Sequence, residues 1–86
     1  MTNDVPFYQV QKMLEGVGFR AASVRGVNHT FVHSKRDVRF VVPVFDGMVK
    51  PVFVSGMARV LDETGILERD AFAQRLAQAN GSVAHS

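Results

Sequence analysis

The chain has 86 residues, 47% of them apolar and 21% charged, with no cysteine and a formal net charge of +2. That length gives one domain with a thin core, burying ~60–65% of the unfolded surface; the composition argues against disorder of its body, and the missing cysteine excludes disulfides and thiolate metal sites, as fits a cytoplasmic protein. The longest apolar runs fall far short of the roughly 20 residues of a membrane span, and the polar opening Met1–Pro6 has no signal-peptide character, so no membrane partner is expected.

In chain order, Phe7, Val10, Leu14 and Val17 fall at helical spacing and predict a helix over 7–17, with Pro6 in its first turn, Asn3 or Asp4 as cap, and Gly16 and Gly18 at its end. Residues 20–24 read as a short strand and Arg25-Gly26-Val27-Asn28 as a turn, where Gly26 and Asn28 can take positive φ. Strands over 29–34 and 38–43 follow, joined by the polar turn Lys35-Arg36-Asp37, with Pro43 closing the last. Residues 44–54 read as a loop with Asp46-Gly47 and Lys50-Pro51 as turn signals and a short edge strand at Val52-Phe53-Val54. Ser55 caps a helix over 56–64 that buries Met57, Val60 and Leu61 and stops at Gly65. A third helix covers about 68–79, and residues 81–86 read as a flexible tail after a domain spanning 1–80. The order α-β-β-β-α-α predicts an α+β fold: a three-stranded antiparallel sheet with helices packed on one face, like a double-stranded-RNA-binding domain.

Charge is unevenly spread. Arg20, Arg25, Lys35, Arg36 and Arg39 face a single acid, Asp37, within residues 20–39, whereas residues 62–70 are mostly acidic. The basic half is a footprint for a polyanion such as RNA, or else a merely solvated hairpin.

Four segments, in order and at compatible spacing, resemble the HicA-like mRNA interferases. They are Val10-Gln11-Lys12-Met13-Leu14-Glu15-Gly16-Val17-Gly18-Phe19, Gly26-Val27-Asn28-His29-Thr30-Phe31, Val41-Val42-Pro43, and Lys50-Pro51 followed by a helix, Gly65-Ile66, Phe72 and Leu76. The resemblance implies the toxin of a type II toxin–antitoxin pair. Such a toxin degrades mRNA without metal or cofactor and is silenced by a HicB-like antitoxin protein. The chain departs from the family at Val27, where the family has serine, and after Pro43, where Val44-Phe45 replaces a frequent histidine.

On its own, a strand histidine packs at a sheet surface more often than it catalyses; the resemblance is what assigns chemistry to His29, as the general acid or base of RNA cleavage. Arg25, Lys35, Arg36 and Arg39 are the candidates for phosphate contact, with Lys12 and Lys50 extending the track and Asn28 serving RNA or the turn. His33 shares a strand face with His29 about 13 Å away, too far to share one metal ion, and reads as a solvated residue or a backbone contact. Phe31 reads as core, and His85 has no assigned role. Three classes remain open: an endoribonuclease, an RNA-binding module of the same fold that does not cut, and an interaction protein with no nucleic-acid role.

Overall fold

A computed structural model describes residues 4–84, and their side chains as far as residue 79. The helical stripe of the N-terminal segment forms α1 (Phe7–Gly16), which buries Val10, Met13 and Leu14. It has no side-chain cap: Pro6 is the N-cap residue itself, Asp4 pairs with Lys50 instead, and Asn3 lies outside the described residues. Pro6 belongs to a two-residue strand, β1 (Val5–Pro6), that the sequence did not announce.

β2 (Phe19–Arg25), β3 (Asn28–His33) and β4 (Arg39–Pro43) form the expected three-stranded antiparallel sheet in the order β2-β3-β4. Arg25 pairs with Asn28 around the two-residue turn Gly26-Val27. Gly26 takes φ +60° there while Asn28 keeps an ordinary strand conformation, so one glycine supplies the turn. The register also contains a bulge at Ala22, since Ala21 faces Phe31 while Ser23 faces Thr30.

After β4 the Asp46-Gly47 turn, with φ +53° and +75°, returns the chain into β5 (Met48–Val49), which pairs with β1. The loop expected over 44–54 is therefore partly strand. Its far end is helix: α2 runs Pro51–Glu63, starting five residues before the expected start, so Val52-Phe53-Val54 forms helical turns rather than an edge strand and Ser55 is no cap. Pro51 sits at the first helical position, where its missing N–H costs nothing and its fixed φ is preset for a helix. α3 (Arg69–Ala84) continues past residue 80, so 81–84 are helical where a tail was expected; residues 85 and 86 lie outside the described part.

All helices pack against one face of the sheet. Strand alternation points Phe19, Phe31, Phe40 and Val42 to that face, where they meet Val10 and Leu14 of α1, Met57 and Leu61 of α2 and Phe72 of α3. Phe31 is fully buried at the centre of this layer, a position where truncation to alanine costs about 3–5 kcal/mol. The buried Gln9 amide donates to the Leu76 carbonyl at 2.8 Å, so the one polar core side chain among the described residues ties α1 to α3. Among the described residues no helix is long and apolar enough to cross a membrane.

Candidate nucleic-acid interface

The sheet face turned away from the helices is uncovered, and its chemistry follows from the register. Arg20 faces Val32, which faces Arg39; Ser23 faces Thr30, which faces Val41; Arg25 faces Asn28, which faces Pro43. Arg20, Arg25, Asn28 and Arg39 are all exposed. Arg20 and Arg25 are five residues apart and would lie on opposite faces of a regular strand. The Ala22 bulge inserts one extra residue and returns both to the same face. Interstrand spacing places Arg20 and Arg39 about 10 Å apart across the sheet, and the rise along β3 places Arg25 about 13 Å further on. No acid occurs in β2, β3 or β4, and none of these arginines has a carboxylate within 4 Å among the described residues. Three guanidiniums around a hydroxyl- and amide-bearing centre make a surface suited to phosphate and ribose. Arg20 was missing from the sequence-based candidates. Its signal, a weak Ala-Ala-Ser strand centre able to bulge, shows only once pairing is known.

His29 lies on the opposite, helix-facing side, at the hairpin end of β3. Its ring contacts that of Phe7 at 4.5 Å between centroids, tilted 44°. Helix cover thins out here: Val24, its neighbour in the register, is 58% exposed. Neither His29 ring nitrogen bonds to a described residue, and neither is buried without a partner, so both reach solvent. A solvent-facing, unengaged imidazole leaves both ring nitrogens open to an incoming ligand. The two positions that depart from the family pattern end up on the same rim: Val27 and Phe45 are 42% and 47% exposed, and the Val44 N–H donates to the Val27 carbonyl at 2.8 Å.

His33 is engaged on both sides, as a backbone contact. Its Nδ1 accepts the N–H groups of Lys35 and Arg36 at 3.0 Å each, so Nε2 carries the proton and donates to the Val17 carbonyl at 2.9 Å. The ring shapes the β3–β4 turn and leaves no nitrogen for chemistry. Arg36 is also engaged, donating to the Thr64 carbonyl at the C-terminus of α2, where a cation complements the helix dipole. Lys35 is exposed in the same turn. Lys12 lies apart, on α1 beside Arg75 of α3, and Lys50 is held near Asp4 at 3.9 Å. The structure thus brings Arg25, Asn28 and Arg39 together on one face, sets His29 on the other, and places Lys35 and Arg36 in the β3–β4 turn, where Arg36 lines a hollow with Val32 and Arg39, and Lys12 on α1. No cluster of three or more potential metal ligands exists among the described residues.

No protein-family model matches the chain, and no curated protein or solved structure does either.

Proposed function

We propose that this chain binds RNA through the open sheet face and cleaves it at the hairpin rim, as the toxin of a type II toxin–antitoxin pair with a HicB-like antitoxin as partner. The observation that carries the binding part is the acid-free sheet face bearing Arg20, Arg25 and Arg39. Cleavage rests on the resemblance and on the unengaged ring of His29. In that reaction a base takes the ribose 2′-OH proton, the oxygen attacks the adjacent phosphorus, and an acid protonates the departing 5′-oxygen. His29 supplies one of these transfers, worth roughly 10²–10⁴-fold, and no metal takes part.

A second reading, binding without cutting, is favoured by one observation: strand alternation separates His29 from Arg25 and Arg39. RNA must wrap around the hairpin end to touch both. Incubating the protein with RNA in EDTA separates the two. Shortened RNA with the wild type and intact RNA with a folded His29→Ala variant support the toxin. Retarded but intact RNA with both selects the binding module. Unretarded, intact RNA removes both readings.

A further inference from the structure

The β3–β4 turn borders a hollow of about 540 Å³, lined by the half-buried Val32 and Val38 and by the exposed Arg36, Asp37 and Arg39. The turn is held in place by its own hydrogen bonds: His33 Nδ1 accepts the N–H groups of Lys35 and Arg36, and the Val38 N–H donates to the Arg36 carbonyl at 2.9 Å. Opposite charges line this hollow without pairing. The Asp37 carboxylate has no lysine or arginine nitrogen within 4 Å and accepts no hydrogen bond from a described residue. Arg36 gives one Nη2 proton to the Thr64 carbonyl, which anchors the guanidinium and leaves one of its two-donor edges free. The hollow is continuous with the open sheet face, since Val32 and Arg39 belong to both.

We infer that this hollow takes a guanine base of the bound RNA, an inference that rests on the RNA-binding reading and adds a base preference to it. Asp37 accepts the N1–H and an N2–H of the base, the free edge of Arg36 donates to O6 and N7, and the two valines cover the ring. Arg39 meets the phosphate of the same nucleotide and so keeps its place on the open face. The unpaired carboxylate is what selects a base over a phosphate. In a hollow serving phosphate alone Asp37 repels the ligand, whereas a ligand that carries both donors and acceptors uses the acid and the arginine together. Guanine is the one RNA base that offers a carboxylate two N–H groups side by side and an arginine fork two acceptors on the adjoining edge. Adenine, cytosine and uracil each present a single N–H donor group to a carboxylate.

The test titrates GMP, IMP, AMP and an all-adenosine RNA of ten nucleotides into the labelled full chain carrying His29→Ala, followed by backbone amide NMR. The three mononucleotides carry the same phosphate and differ only in the base. The expected result is saturable shifts at Val32 and over Arg36–Arg39, with GMP bound roughly tenfold more tightly than AMP and IMP, which lacks the N2 amine, in between. Asp37→Asn, at an exposed position with no partner to lose, brings GMP down to the level of AMP and does not weaken AMP. A hollow for phosphate alone behaves otherwise, because removing the carboxylate then strengthens GMP and AMP alike. That outcome overturns the inference, as do equal binding of GMP and AMP before the substitution, or shifts by GMP that miss the turn. The all-adenosine RNA separates this failure from that of the RNA reading. If it binds the arginine face while guanine is not preferred, only the inference falls; if it does not bind, both fall.

Discussion

Two histidines four residues apart on one strand face have opposite fates, and their neighbours decide it. His33 sits where α1 ends and β2 begins, within reach of the Val17 carbonyl and its own turn; His29 sits at the other end, where its ring packs on Phe7 and no hydrogen bond to a described residue holds it. Replacing His33 by alanine strips two N–H groups of their acceptor and one carbonyl of its donor. That costs about 1–3 kcal/mol, read as a lower urea midpoint with an unchanged slope. His29→Ala forfeits only the ring contact, about 1 kcal/mol, so its stability stays near wild type while any RNA cleavage disappears. Gly18→Ala tests the same arrangement from the backbone. Gly18 holds φ +104°, and a Cβ there would stand 2.6 Å from His33 Nε2. Strain and clash act together, and the variant loses about 1–3 kcal/mol or more in the same denaturation measurement. The sequence shows both imidazoles on one strand face but not which is occupied, because the deciding groups are backbone atoms of Val17, Lys35 and Arg36.

At the scale of elements, what is local in the chain is what the sequence makes legible. α1, the Gly26 turn and the three sheet strands follow from periodicity and from one glycine with positive φ. The start of α2 does not, because Val52-Phe53-Val54 is β-branched and aromatic while Pro51 is an equally local helix signal. Burial of Met57 and Leu61 against the sheet settles the competition in favour of the proline. The Ala22 bulge is invisible for a different reason: it exists only relative to β3, yet it decides which face Arg20 and Arg25 share, and with it half of the candidate site. The early start leaves α2 with Lys50 as its N-cap residue, a side chain that makes no cap hydrogen bond and whose charge opposes the helix dipole. Lys50→Ser therefore stabilises the protein. A serine cap contributes about 1 kcal/mol, and the ion pair it removes, 3.9 Å long with Lys50 53% exposed, is worth a few tenths at most. A rise in melting temperature is the expected outcome; a fall would show that the Lys50–Asp4 pair anchors the β1–β5 strands.

For the whole molecule, net charge is a poor guide to partners and the placement of charge a good one. An overall +2 hardly distinguishes this chain, but all eight acids lie outside β2, β3 and β4, while three of the ten basic residues share the uncovered face. Binding to single-stranded RNA through that face should then carry the salt dependence of a local contact. Each neutralised phosphate contributes about 0.7 to the slope of log affinity against log salt, so three arginines give a slope near −2, or roughly a twentyfold loss between 50 and 200 mM salt. Fluorescence anisotropy with a labelled RNA and the His29→Ala variant, in EDTA, measures it without interference from cleavage. Adding Arg39→Gln should flatten the slope by about 0.7, and Arg20→Gln by the same amount, because both stand in one row across Val32. Lys12→Gln, on α1 and beside Arg75, leaves it unchanged. A slope that responds to Lys12 but not to Arg20 and Arg39 would move the RNA to the helical side of the molecule. The bulge would then be an irregularity of β2 and not the device that assembles the binding face.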